Sequence, residues 1–244
     1  MRTVTNAKIA RRNKSIAQYG FFASFIVPLA GIFLLNQQTM TPATGDVLLS
    51  VVLPFMVLPI AYIVMIFAIR MSNLWVRQPR PENVIEAGAK GLGNKAVLYN
   101  YFHFPARHVI ISPLGVFAII TRFQDGSYSV DGRKWTTNKS AMGRILSVFR
   151  MDAMGDPTAE AERAAAHVKS LLAPIAPDVP VQPLVIFVDP RVQLEVTNPE
   201  VPVLYADSKN EPTLKSYFRD ITKEKRPTLT QEQIDAFEEN NLKV

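Results

Sequence analysis

The sequence predicts an α/β protein in which an N-terminal two-helix transmembrane hairpin precedes a mixed-sheet domain. Two long stretches without a charged residue, Ala17–Leu35 and Val47–Ile69, predict the hairpin. After them, short apolar runs alternate with helical patterns and with turns that contain proline or glycine, which is typical of a mixed α/β domain. The hydrophobic share of 48% in 244 residues is sufficient for both parts.

Both apolar stretches are long enough to cross a bilayer, whose core needs about 20 apolar residues in a helix. We place transmembrane helices at 17–35 and 47–70, joined by an external connector at 36–46. The prolines inside them are compatible with kinked membrane helices. A cleaved signal peptide and a buried soluble hairpin are the alternatives. The second apolar stretch and the lack of a clear small-x-small cleavage site favour spanning.

Positive charge is concentrated beside the apolar stretches. Six of the 27 lysine and arginine residues precede position 71, where only one of the 21 acidic residues is found. This distribution indicates membrane topology rather than phosphate binding. The basic tail at 1–16 and the linker at 71–83 carry lysine or arginine, whereas the connector carries neither. The positive-inside rule therefore predicts a multi-pass protein of the cell (inner) membrane with both termini in the cytoplasm.

Past the linker, the sequence predicts an α/β domain at 84–220 and then a C-terminal linker and amphipathic helix at 221–244. Asp125-Gly126 predicts a hairpin turn. Asp156-Pro157 opens a helix, and Thr230 with Gln233 forms a capping box. The predicted helices cover 84–99, 156–172, 212–219 and 230–240, and the predicted strands cover 108–111, 116–122, 127–130, 184–188 and 203–205.

One stretch, Pro105–Trp135, contains a motif that continues into the following helix. The motif consists of Arg107-His108-Val109-Ile110-Ile111-Ser112-Pro113-Leu114-Gly115, then Val116–Arg122, Gly126, Trp135 and Gly155-Asp156-Pro157. In this order it resembles the NERD (nuclease-related) domain, a family with the restriction-endonuclease-like fold. The resemblance covers roughly residues 84–220 and leaves out the membrane hairpin. It implies a sheet on which acids and a lysine hold a divalent metal and activate water.

The residues that would carry this chemistry are replaced. The family pattern has an acid on the first strand, and an acid and a lysine at E-x-K spacing on the second. The corresponding positions here are Arg107, Ile120 and Arg122. Isoleucine offers no lone pair to a metal, and an arginine stays protonated and cannot act as a base. The resemblance therefore implies a degenerate site with no catalytic residue, no bound metal and no cofactor.

Displaced acids are the alternative to a lost site. Glu86, Asp125 and Asp131 are the nearest carboxylates in sequence, and Asp125 and Asp131 are interpreted as turn residues unless they hold a displaced metal. The chain has no cysteine, which excludes thiolate ligands and a cysteine nucleophile. His108, beside the lost acid, is interpreted as a strand histidine with a satisfied ring, the alternative being a part of the site.

The sequence thus predicts a membrane-anchored, non-catalytic protein that acts as a scaffold, an accessory subunit or a sensor. Its expected partners are the lipid bilayer and other membrane-protein subunits, and no small-molecule substrate is indicated. One alternative is a nuclease, or another nucleic-acid-processing enzyme, with displaced metal ligands. Another is non-catalytic DNA binding through Arg107 and Arg122, although nucleic acid is the less favoured partner.

Overall fold

A computed structural model describes residues 1–40, 53–137, 154–206, 210–223 and 226–242. The chain divides into two compact units. One contains residues 10–78, and the other contains residues 1–9 together with the described residues that follow position 78. The two units are considered in turn.

Two long apolar helices form the first unit. Helix α1 covers Ala7–Met40 and α2 covers Leu53–Trp75. Within them, Ala7–Phe33 and Phe55–Trp75 are long and apolar enough to cross a membrane. Most of their large apolar side chains are exposed, as at Leu58, which is 74% exposed. Helix α1 begins ten residues before the predicted span, and the residues 41–52 of the predicted connector and second span lie outside the described residues.

Among the described residues, nine strands and four helices form the second unit. The strands are β1 Arg2–Thr5, β2 Val97–His103, β3 Ala106–Ser112, β4 Gly115–Arg122, β5 Ser127–Asp131, β6 Lys134–Thr137, β7 Val181–Phe187, β8 Gln193–Thr197 and β9 Val203–Tyr205 among the described residues. The helices are α3 Pro81–Gly88, α4 Pro157–Leu172, α5 Leu214–Ile221 and α6 Gln231–Asn241, and a short 3-10 turn covers Lys90–Leu92.

The main sheet has six strands in the order β1-β2-β3-β4-β7-β9, and β6-β5-β8 form a smaller sheet. Strand β3 lies between β2 and β4 and pairs antiparallel with both. The pairs β1–β2, β4–β7 and β7–β9 are parallel, so the sheet is mixed. The path from β4 to β7 includes α4, as a parallel connection requires a long crossover. The predicted mixed α/β class is confirmed.

Both faces of the main sheet are covered by helices. Helices α4 and α6 pack on one face, where Val168 and Phe237 join a core built on β4 residues such as Ala118. Helices α3 and α5 cover the other face, where Ile85 and Phe218 contact the opposite side chains of the same strands. Burial on both faces explains why β4 is apolar at nearly every position.

Several predicted elements are confirmed in the structure. The turn between Ser112 and Gly115 joins β3 to β4. Helix α4 begins after Asp156, whose carboxylate accepts a hydrogen bond of 2.9 Å from the amide of Ala159. The predicted capping box at the start of α6 is present.

Other predictions about local structure were wrong. The segment 84–99 was predicted as one helix, but α3 ends at Gly88 and β2 begins at Val97, because the aromatic and β-branched run there pairs with β3. Asp125-Gly126 was predicted to join a hairpin. Its flanking strands β4 and β5 belong to different sheets, and β5 pairs instead with β6 and β8. The short strands β1, β6 and β8 were not predicted.

Candidate functional site

A small cleft opens at the ends of β3 and β4, beside the first turn of α4. Its volume is about 180 Å³. It is lined by Phe104, Pro105, Arg107, Ile120, Thr121, Arg122 and Glu160. The three positions that the sequence analysis assigned to a degenerate site, Arg107, Ile120 and Arg122, are therefore brought to one place.

The strand register explains how these residues meet. His108 on β3 pairs with Ile119 on β4, so Arg107 and Ile120 are the next residues on the two antiparallel strands. Ile120 belongs to the core beneath α4 and is only 7% exposed. Arg122 follows two residues later on the same strand, and side chains two residues apart share one face. Both guanidinium groups therefore lie at the α4 face of the sheet.

Helix α4 supplies the only carboxylate among the cleft residues. Glu160 lies in its first turn, where an acid is stabilised by the helix dipole. Its Oε1 lies 2.9 Å from Nη2 of Arg122, in an ion pair that is not aligned as a hydrogen bond. The Arg122 side chain is 12% exposed and that of Glu160 is 43% exposed, so the arginine is the more buried partner.

The donor set of the cleft does not fit a divalent metal. A hard cation such as Mg²⁺ requires several oxygen ligands, carboxylates above all. The cleft has two guanidinium groups and one carboxylate, and that carboxylate is paired with Arg122. Nowhere among the described residues do three or more His, Cys, Asp or Glu side chains cluster as a metal would require. Repulsion from Arg107 and Arg122 adds to the shortage of ligands.

None of the acids considered as displaced ligands lines the cleft. Glu86 lies on α3, which packs against the sheet face opposite to α4. Asp125 is exposed, and its Oδ2 lies 3.3 Å from Nη2 of Arg191. Asp131 ends β5 and is exposed. The acid that the structure does bring to the cleft, Glu160, was not predicted as a site residue, because only its position in the first turn of α4 was visible in the sequence.

His108 lies next to the cleft in sequence but is buried inside the sheet layer. It is 0% exposed, and its Nδ1 lies 2.8 Å from Oδ1 of Asn100. An amide oxygen only accepts, so Nδ1 carries the proton and donates. The Asn100 amide in turn donates to Oγ1 of Thr5 at 3.1 Å. Burial, reinforced by Arg107 and Arg80, lowers the pKa of His108 to about 3, so this ring is neutral and links three strands.

A second polar cluster joins β2 to the start of α3. The hydroxyl of Tyr101 donates to Oε2 of Glu82 at 2.7 Å and accepts from Nη2 of Arg80 at 3.0 Å. Arg80 also pairs with Glu82, at 3.0 Å between Nε and Oε1. Burial and the Glu82 carboxylate raise the pKa of Tyr101 above its ordinary value. This closed cluster is structural, and it fixes the entry of the chain into the domain.

A larger cavity of about 470 Å³ lies between helix α5 and the end of α3 with the 3-10 turn that follows it. Gly88 and Gly91 line it from one side. On the other side Thr213 and Ser216 form a capping box, in which the Thr213 hydroxyl accepts from the amide of Ser216 and the Ser216 hydroxyl accepts from the amide of Thr213. Those two amides are occupied within the chain, so they are not available to a phosphate group.

Comparison with known proteins agrees with the fold. Residues 83–188 match the family model NERD, described as the nuclease-related domain. The segment is thus similar to the nuclease-related domain, and its mixed sheet fits the restriction-endonuclease-like fold. A search of curated proteins and a search of solved structures each gave no match.

Proposed function

We propose that the nuclease-related domain at 83–188 is non-catalytic and acts by binding, on a protein that α1 and α2 anchor in the cell membrane. One observation carries this proposal. The cleft at the position of the family's catalytic motif holds Arg107, Ile120 and Arg122, and its one carboxylate is already paired. A domain that keeps its sheet but lacks metal ligands retains a surface rather than a reaction centre.

The chemistry of hydrolysis requires what this cleft lacks. A metal-assisted nuclease lowers the charge on the scissile phosphate and generates a hydroxide from bound water. Ile120 supplies no ligand atom, and Arg122 cannot accept a proton from water. Glu160 is the remaining acid, and using it as a ligand would separate it from Arg122 and leave that buried cation unpaired.

Strand β1 supports the proposed topology. It pairs in parallel with β2, so residues 2–5 and the domain that follows the apolar helices belong to one sheet. A shared sheet supports an arrangement in which both lie on the same side of a membrane that α1 and α2 cross. Positive charge near both ends of this hairpin favours the cytoplasm for that side. Removal of the first helix as a signal peptide would also remove β1.

The proposed role is that of a scaffold, accessory subunit or sensor in a membrane assembly. Exposed apolar side chains on α1 and α2, such as Phe22 at 61% and Leu29 at 64% exposed, supply surface for lipid or for helices of other subunits.

A nuclease assay tests the absence of catalysis. The full chain, purified in mild detergent, is incubated with single-stranded and duplex DNA in Mg²⁺ or Mn²⁺, and we expect no cleavage above a metal-free control. Metal-dependent cleavage that Asp125→Ala or Glu160→Gln abolishes would overturn the proposal and indicate a nuclease with displaced ligands. Cleavage that survives both variants would indicate a contaminant, and the assay would be repeated on an independently purified preparation until the activity is assigned.

A reporter fusion tests the topology. A reporter fused after Val244 is expected in the cytoplasm, and one inserted at 42–44 is expected outside. A C-terminal reporter found outside the membrane would contradict the proposed orientation.

A further inference from the structure

We propose that the cleft at the ends of β3 and β4 binds a small oxyanion of the phosphate class, in the place where the family pattern implies a metal cation. This inference rests on the proposed function only in that the domain is taken as non-catalytic. The charge of the site is inverted. Arg107 and Arg122 stand where an acid and a lysine would be, and Glu160 offsets one of the two positive charges.

Buried donors in the cleft lack acceptors. Nε of Arg122 has no hydrogen-bond partner among the described residues, although the side chain is only 12% exposed. Its Nη2 makes no hydrogen bond either within the described part of the chain, although Oε1 of Glu160 lies 2.9 Å away. Arg122 lines the cleft. Leaving a buried donor unpaired is unfavourable, and the penalty is larger for a charged group.

An oxyanion would satisfy these donors together. The Nε and Nη2 atoms of a guanidinium form a planar fork that matches two oxygens of a phosphate. Arg122 offers this fork, and Arg107 adds a second positive charge on the neighbouring strand. A carboxylate oxygen already lies 2.9 Å from Nη2, so this edge of the guanidinium can be reached by an oxygen.

The size of the cleft favours a small ligand over a polymer. Its volume of about 180 Å³ is enough for one phosphate group and a few waters. Phe104, which is 42% exposed, and Pro105 form an apolar part of the lining. They would contact an organic substituent on the phosphate or remain in solvent around the free ion.

Glu160 is a competitor for the same guanidinium. It is the more exposed member of the ion pair, so it can move toward solvent when an anion arrives. Neutralising it should therefore strengthen anion binding, whereas neutralising either arginine should weaken it. A purely structural ion pair would not produce this opposition of signs.

The test is a titration of the full chain in a phosphate-free maltoside detergent with inorganic phosphate, at constant ionic strength, followed by calorimetry. Saturable binding is expected. Arg122→Gln and Arg107→Gln should each weaken it about tenfold or more, the loss expected for a hydrogen bond to a charged group. Glu160→Gln should tighten it roughly two- to fivefold, which is the range of a partly exposed ion pair. Arg163→Gln, an exposed arginine of the same helix that does not line the cleft, should leave it unchanged.

Two further arms identify the source of the phosphate. Glycerol 3-phosphate, the soluble part of a lipid headgroup, is compared with inorganic phosphate, and nanodiscs with phosphatidic acid are compared with phosphatidylcholine nanodiscs as competitors. Competition by phosphatidic acid nanodiscs but not by phosphatidylcholine nanodiscs would assign the site to a lipid headgroup. No competition by either would assign it to a free phosphate. Either result supports an oxyanion site.

Other outcomes would overturn the inference. These are no saturable phosphate binding by the wild-type chain, equal binding by all four variants, or binding of a DNA oligonucleotide without binding of phosphate. If Arg122→Gln fails to fold, Arg107→Gln and Glu160→Gln still give opposite predictions. Absence of phosphate binding leaves the non-catalytic proposal intact, whereas metal-dependent cleavage that Asp125→Ala or Glu160→Gln abolishes defeats that proposal whatever the titration shows.

Discussion

Strand β1 offers a direct test of the link between the N-terminus and the domain. The backbone amides of Arg2 and Asn6 donate to the carbonyls of Ala96 and Asn100 at 2.8 and 3.0 Å. In a parallel pair the amides that point to the neighbour alternate along the strand, so the amide of Val4 also points to β2. Val4→Pro removes that donor. We expect this substitution to release β1 from the sheet.

The structure sets the size of the effect. The variant loses one backbone hydrogen bond, worth about 1 kcal/mol, and leaves the buried carbonyl of Leu98 without its partner, for a further 1–3 kcal/mol. Opening β1 should therefore become easier by about 2 to 4 kcal/mol. The register directs the amides of Leu98 and Asn100 toward carbonyls of β1. Exchange of these amide hydrogens with solvent should therefore accelerate by roughly 30- to 1000-fold where it follows this local opening.

Hydrogen exchange read by mass spectrometry measures this directly on the full chain in mild detergent. Peptides that cover β2 are compared between the wild type, Val4→Pro and the control Thr3→Pro. The amide of Thr3 points away from β2, to the open edge of the sheet, where proline is tolerated. The control should change exchange in β2 by less than about tenfold.

Unchanged protection of β2 in Val4→Pro would refute the reasoning. So would an equal effect of the two prolines, because the outward position should not depend on a ladder hydrogen bond. Either result would mean that the N-terminal residues are not an integral strand of the domain. It would also remove the main support for placing both ends of the hairpin on one side of the membrane.

Two further predictions concern stability. Burial lowers the pKa of His103 to about 4 and of His108 to about 3, whereas both titrate near 6.5 when unfolded. The unfolded chain then binds more protons below pH 6.5. As the pH is lowered from 6.5, the free energy of unfolding should therefore decrease by about 1.4 kcal/mol per pH unit for each histidine, until the folded pKa is reached. Denaturant unfolding at pH 7, 6 and 5 checks this, and a flat profile would contradict the neutral, buried rings. In Gly88→Ala the new Cβ would lie 2.7 Å from the carbonyl oxygen of Ala206, so we expect a loss of about 1–3 kcal/mol. Gly91→Ala meets nothing within 4 Å and should be close to neutral, and equal thermal unfolding of the two variants would contradict the close approach at Gly88.

Local signals predicted the parts of the fold that local physics decides. The helix start at Asp156 was recognised because proline and acids follow it, and the start at Thr230 because a capping box depends on residues three positions apart. The run at β4 was recognised as a buried strand because both of its faces are apolar. Strand β1 was missed because its pairing partner is about 95 residues away, and four residues carry no period of their own.

The sequence by itself determined the two apolar helices, the mixed α/β class and the identity of the residues at the motif positions. Local apolar patterns settle the first two points. Side-chain chemistry settles the third, since Arg107, Ile120 and Arg122 cannot ligate a metal wherever they lie. Only the tertiary structure decided that the three positions share one cleft with Glu160 and that the N-terminal residues complete the domain's sheet. These facts depend on strand register and on the packing of α4 against β4, which arise between segments distant in sequence and leave no pattern within either segment.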